Sequence, residues 1–225
     1  MNKFLELNNI SKTFETSKKL KVIKNLSYNF KKGKIYSLMG PSGSGKSTLL
    51  NLISLIDKPS NGLIKFNKHQ INYDDKEQND QLRAKKIGIV YQQNNLLPDF
   101  TSLENIYLAS LSINNNKNLA ISKAKQLLKK IGLSNRADHY PSQLSGGEAQ
   151  RIAIARAIIN DPEIILADEP TGSLDMKTAK IIFNLLKDQK RSDRLIIFAT
   201  HNRFFGNKAD CLLEILDGNI KSSNG

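Results

Sequence analysis

Nine residues, "GPSGSGKST" at 40–48, bring glycine, lysine and hydroxyl side chains together at a spacing suited to holding phosphate. Gly40, Gly45, Lys46 and Ser47 satisfy G-x-x-x-x-G-K-[ST], and Pro41, Ser42, Gly43, Ser44 and Thr48 complete the stretch. Glycines let successive backbone N–H groups turn inward around phosphate oxygens, and a helix starting here adds the positive end of its dipole. Lys46 can then pair with the β- and γ-phosphates while the Ser47 hydroxyl ligates Mg²⁺. This is a site for a nucleoside triphosphate.

Two further strings add to it. "IILADEP", 164–170, is an apolar run ending in Asp168 and Glu169. The first carboxylate is placed to hold Mg²⁺, and the second to orient a water or take its proton. The pair could instead cap a helix, since Pro170 and Thr171 follow, but a buried strand seldom ends in two carboxylates without a cation. "LSGGEAQ", 144–150, pairs Ser145 with Glu148 as a capping box and places Gly146 and Gly147 at the start of a helix, a second anion-binding terminus. Alone it could be a well-capped helix; with Asp168 standing 18 residues after Gln150, it reads as part of the same chemistry.

"YQQNNLLPDFTSLENI", 91–106, is the odd segment: amides, including Gln92, follow the β-rich "KIGIV", and an apolar loop comes next. Leu96, Leu97, Pro98 and Phe100 are expected to offer a binding surface, the alternative being that the leucines pack inside. His201 follows the apolar "LIIFAT", whereas His69 and His139 have no motif around them and read as surface residues.

The elements that must position these residues follow from periodicity. The first 40 residues alternate in β fashion, with a turn at Lys32-Gly33. A helix after Lys46 should bury Leu49, Leu52, Ile53 and Ile56. A hairpin is expected over 60–75, a polar helix over 76–86, and a helix just after Phe100 that the Thr101/Glu104 capping box starts and the loop "NNNKN" ends. The next helix should bury Ile121, Ala124, Leu127, Leu128 and Ile131 and stop at Gly132. A mostly helical segment, about 95–144, thus interrupts an α/β pattern. It resumes with a helix stopped at Asp161-Pro162, the strand "IILAD", a helix over 176–190, the strand "LIIFAT" and a hairpin around Asp217-Gly218. Wholly apolar strands alternating with helices predict an α/β fold whose central sheet is mostly parallel and covered on both faces.

At 225 residues, with 39% hydrophobic and 24% charged, the chain is long enough for one sizeable core. No run approaches a membrane span, and the start lacks the apolar region of a secretory signal, so the expected compartment is the cytosol. Cys211, the single cysteine, is expected to be a small buried hydrophobe. The charge of +13 comes from 27 Lys and 7 Arg scattered along the chain, not from a basic stripe, so no nucleic-acid partner is expected. Attraction to an anionic membrane surface fits that charge.

In order, "GPSGSGKST", "YQQ", "LSGGEAQ", "IILADEP", "SLD" and "ATH" resemble the nucleotide-binding subunits of ATP-binding cassette (ABC) transporters, over nearly the whole chain. The resemblance implies one ABC domain over 1–225: a P-loop NTPase core, an N-terminal antiparallel β subdomain and the inserted helical subdomain. It implies ATP and Mg²⁺ as ligands, and ATP hydrolysis coupled to transport by separate integral membrane subunits at the cytoplasmic side of the inner membrane. Two copies would pair head to tail, so that Ser145, Gly146 and Gly147 of one meet the γ-phosphate held by the other. Glu169 would be the base, Asp168 a Mg²⁺ ligand, Gln92 the residue reaching Mg²⁺ and the attacking water, and His201 a γ-phosphate contact. Asp175 in "SLD" would cross the dimer interface. Phe14 would stack on adenine, where Tyr is more usual. Asn202 stands where the family commonly has Asp, which leaves its hydrogen bonding open. "LLPDFT" followed by "LENI" resembles the lipoprotein-releasing subgroup, and the apolar loop would receive the membrane subunit's coupling helix. The alternatives are a macrolide or peptide efflux ATPase and a division-linked ATPase that moves no substrate.

Overall fold

The computed structural model describes residues 4–15, 19–113 and 115–223. The chain forms two compact units, Met1–Asp80 with Lys190–Gly225, and Gln81–Gln189.

In the first unit, β1 (Leu5–Glu15) lies between β2 (Lys19–Phe30) and β4 (Asn61–Phe66), antiparallel to both, and β5 (His69–Gln70) extends the sheet. Leu5 and Leu7 alternate into the core, then Asn9 takes φ 49° and the register shifts, so that Ile10 also points inward. A second group of strands has β3 (Ile35–Met39) running parallel to β8 (Leu195–Ala199) and β9 (Cys211–Leu216) on its two sides, with β10 (Asn219–Ser223) antiparallel to β9. Every residue of β3 and β8 is buried, as parallel strands covered on both faces require. Both expected hairpins form, their turns carried by positive φ at Asn67 and Lys68 and at Asp217 and Gly218.

Helix α1 (Lys46–Ile53) buries Leu49, Leu50, Leu52 and Ile53. Ile56 departs from expectation: Leu55 at φ 61° turns the chain, and Ile56 lies outside the helix, 49% exposed. Cys211 is half-buried instead of buried, because it stands one residue before the pairing of β9 with β10 begins and lines an open cleft with Tyr28 and Tyr36.

Helix α2 (Lys76–Lys86) carries the chain into the second unit, where β6 (Ile87–Val90) pairs parallel with β7 (Ile164–Asp168), in register from Ile87↔Ile164 to Val90↔Ala167. Capping boxes start α3 (Ser102–Leu111) at Thr101 and α5 (Gly146–Ile158) at Ser145, while Asn116 caps α4 (Lys117–Lys130) and Asp175 caps α6 (Met176–Lys187). Of the loop "NNNKN", Asn114 lies outside the described residues.

The helical core joins Ile106 and Tyr107 of α3, Ala120, Ala124 and Leu128 of α4, and Ile152 and Ala155 of α5. Ile121 and Leu127 sit at its margin, half-buried, and Ala120 takes the central place between them. Gly132, at φ 71°, ends the turn after α4 as expected. His69 is exposed, but His139 is half-buried, with its ring 3.3 Å from Arg136.

Leu128 is 1% exposed at the meeting of α3, α4 and α5. Leu128→Ala should cost about 2–5 kcal/mol, read as a lower denaturant midpoint at an unchanged slope.

Candidate functional site

The loop after β3 is built around a lysine. Helix α1 has Gly45 as its N-cap, at φ 104°, with no side-chain cap, so the amides of its first turn face outward. Lys46 is 7% exposed, and its ammonium donates to the carbonyls of Gly40 at 2.9 Å and Pro41 at 3.0 Å. Two of its three hydrogens are committed in this way, which closes the loop around a fixed positive charge. Gly40 has no substitute: a Cβ there would stand 2.4 Å from the Ile215 carbonyl oxygen. A Cβ on Gly43 would meet nothing within 4 Å, so the loop's outer side is open, with the Ser47 hydroxyl exposed beside it. The Ser44 hydroxyl is buried with no hydrogen-bond partner among the described residues. An uncapped helix start, a buried ammonium and an unserved hydroxyl suit phosphate oxygens.

His201 lies in the same unit, past the end of β8, and lines a cleft of about 390 Å³ with Gly40, Pro41, Arg203 and Glu214. Asn202 resolves the question its sequence raised: it caps the short α7 (Arg203–Gly206), accepting from the Phe204 amide at 2.9 Å, while its own amide donates to the Thr200 hydroxyl at 3.1 Å. Phe14 pairs across the sheet with Leu20, which lines a second cleft with Lys21, Ser42, Gly43 and Ser44. Directly opposed residues share a sheet face, so the 37%-exposed Phe14 ring stands on the side of that cleft.

In the second unit the ends of β6 and β7 bring Gln92, Asp168 and Glu169 together. Ile164 to Ala167 are buried and Asp168 is half-buried. Glu169 takes φ 45°, a left-handed conformation that a carboxylate residue holds only under constraint, and its carbonyl accepts from Gly172 N at 3.0 Å. A Cβ on Gly172 would lie 3.4 Å from Gln92 Nε2 and 3.6 Å from Glu169 Cβ, so Gln92 and Glu169 flank one glycine.

The start of α5 forms a separate grouping. Ser145 accepts from Glu148 N, and Glu148 in return accepts from the Ser145 amide at 2.8 Å and from Arg136 at 2.9 Å. This box occupies the amides of Ser145 and Glu148 and leaves those of Gly146 and Gly147 pointing outward. Asp175 caps α6 through the amides of Lys177 and Thr178 and the Thr178 hydroxyl, and these Thr178 bonds foremost hold its carboxyl below the usual range.

Three side chains to which the motifs gave no role of their own hold the chain on either side of Gln92. Gln150 donates to the Tyr91 carbonyl, and Arg156 donates to those of Asn94 and Asn95 at 2.8 and 2.7 Å. Asn105, 1% exposed, accepts from Leu97 N and donates to the carbonyls of Leu97, Phe100 and Thr101. Its position among the buried residues of α3 was the available signal. Leu97, Pro98 and Phe100 are exposed above this framework, whereas Leu96 turns down against the helical core.

A family model described as ABC transporter matches residues 23–172. The protein named "Lipoprotein-releasing system ATP-binding protein LolD" of Rickettsia bellii is 41% identical over 99% of this chain and 99% of its own length. Its namesake of Wigglesworthia glossinidia brevipalpis is 42% identical over 98% and 97%. A solved structure of the ATP-binding cassette MJ0796, dimeric, in a post-hydrolysis state bound to ADP and Pi, matches with a TM-score of 0.91 at 37% identity, covering 98% of each chain.

The capping box at Ser145 makes a pH-dependent contribution. Arg136, and then Ser145, hold the Glu148 carboxyl down at about 2, against 4.5 ordinarily. A lowered folded-state value means stabilisation that is full above the ordinary value and lost as pH falls toward 2. Glu148→Gln should therefore show a smaller fall in melting temperature than the parent between about pH 4.5 and 2.

Proposed function

This chain belongs to the ABC transporter family, and on that footing we propose that it is the ATP-hydrolysing subunit of a complex that releases lipoproteins from the inner membrane. The observation that carries the reading is similarity over 97–99% of their length to two proteins named as lipoprotein-releasing system ATP-binding proteins, at 41% and 42% identity. The exposed Leu97, Pro98 and Phe100 support it, as a surface for the integral membrane subunits that this chain would drive from the cytoplasmic side. No helix among the described residues is long and apolar enough to cross a membrane.

In this reading the two compact units work as one cassette over residues 1–225, with a helical part at about 95–144. The backbone of residues 40–48 and the Lys46 ammonium bind the phosphates of ATP, and the Phe14 ring stacks on adenine. Ser47, Gln92 and Asp168 would hold Mg²⁺: they offer hard oxygen donors with a single carboxylate, which suits an ion that keeps phosphate and water ligands. When bound, Mg²⁺ neutralises charge on the β- and γ-phosphates. Gln92 orients the attacking water, and Glu169 takes its proton as oxygen attacks phosphorus in line with the departing ADP. His201 donates to the γ-phosphate, and Lys46 stabilises the charge that spreads over its oxygens. Gly146 and Gly147 of a second copy complete the set by presenting their amides, and Asp175 lies at the same junction. Closure of two copies is thereby linked to hydrolysis.

Glu169→Gln should bind ATP and dimerise while turnover falls by about a hundredfold or more; turnover at the parent rate would overturn the assignment of the base. Phe14→Ala should raise the KM for ATP by about tenfold, with Phe14→Tyr close to the parent. Reconstituted with the membrane subunits in proteoliposomes, the chain should release lipoprotein on ATP addition. Stimulated hydrolysis without release would favour a mechanical ATPase that moves no substrate.

A further inference from the structure

We propose that Thr178 is a positioning residue for the phosphate-facing turn at Gly146 and Gly147. The proposal rests on the reading above that these amides meet the γ-phosphate held by a second copy. The Thr178 hydroxyl donates to Asp175 Oδ2 at 2.6 Å and its amide donates to Asp175 Oδ1 at 3.0 Å. Threonine in a helix divides between two χ1 rotamers, and a hydroxyl bound to the helix cap selects one. In that rotamer the methyl group faces the start of α5. A Cβ built on Gly147 would lie 2.4 Å from Thr178 Cγ2, with Thr178 Cβ at 3.7 Å and Oγ1 at 3.9 Å as the next nearest atoms. One methyl group therefore sets how closely the two helix starts approach, and Gly147 is glycine because of it. Leu174 Cδ2, 3.6 Å from a Cβ on Gly146, extends the same floor. From the other direction, Arg136 holds the turn through Glu148. Asp175 is the residue assigned to the junction with the second copy. Its grip on Thr178 makes that contact and the direction of the Gly146 and Gly147 amides depend on one carboxylate.

The test moves the methyl group from one helix to the other in the full-length chain. Gly147→Ala should lower kcat for ATP by about tenfold or more while KM stays within about twofold, since the turn acts on nucleotide held by another copy. Thr178→Ser, which loses the methyl but keeps the hydroxyl bond to Asp175, should lower kcat by about twofold. The double variant should recover to within about threefold of Thr178→Ser, because the added Cβ enters the space the lost methyl leaves. Parent-level turnover in Gly147→Ala, or a double variant as slow as Gly147→Ala, would overturn the proposal. If Gly147→Ala does not fold, Thr178→Val decides: it keeps the methyl and the amide bond to Asp175 and loses the hydroxyl bond. A fall in kcat at unchanged KM and melting temperature supports positioning, and an activity loss that tracks melting temperature, or no loss, overturns it. ATP-induced dimerisation of Glu169→Gln, followed by light scattering, separates the two ideas. If that chain stays monomeric, the two-copy reading fails and takes the proposal with it. If it dimerises and the methyl exchange does not compensate, only the role of Thr178 fails.

Discussion

A strand covered on both faces cannot carry charge along its length, because an unpaired charge in an apolar layer costs far more than a short strand can return. Polar chemistry is thereby driven to the strand's end. β3 is buried throughout and gives way to the loop that begins at Gly40; β7 is buried to Ala167 and gives way at Asp168. In each case the chain passes directly into a segment with positive φ, at Gly40 after β3 and at Glu169 after β7. The loops that follow are short because the packed strands have already fixed where they start.

The helices answer a related constraint. The first amides of any helix lack partners inside it, and the protein disposes of them in two ways. Where a helix only has to pack, side chains serve them, as Thr101, Asn116 and Asn202 do. At α1 no side chain does, and at α5 the box serves Glu148 while leaving two glycine amides outward. The capping box is the same at α3 and α5, and what differs is the next two amides: at α3 those of Ser102 and Leu103 donate to the carbonyls of His139 and Ala137 at 2.8 and 2.9 Å, while α5 places two glycines there.

Much of this was legible because it is local. A hydroxyl and a carboxylate three residues apart mark α3 and α5, and asparagine or aspartate with glycine marks the last hairpin, since these bonds form between near neighbours. Ile56 was misplaced because the turn at Leu55 interrupts a helical periodicity that the sequence continues. Leu96 looked superficial because nothing adjacent shows that it packs against the helical core, and His139 because nothing adjacent shows its ring beside Arg136 and its carbonyl held by Ser102. Arg156 reaches carbonyls 61 and 62 residues away, and bonds at that separation leave no trace in spacing. Phe14 could be assigned by motif, but only the register that sets it opposite Leu20 gives it a side of the sheet.

Asn105 gives the apolar loop a property beyond its composition. One buried amide, accepting from Leu97 N and sharing its two hydrogens among the carbonyls of Leu97, Phe100 and Thr101, ties residues 97–101 to α3 before anything binds. Ordering a loop on association costs free energy for every residue frozen, and here folding has already met that cost. A helix docking on Leu97 and Phe100 would find a rigid surface, so its affinity would come from contact area undiminished by loop entropy. Movement of that helix would be passed into the protein as displacement and not absorbed as slack.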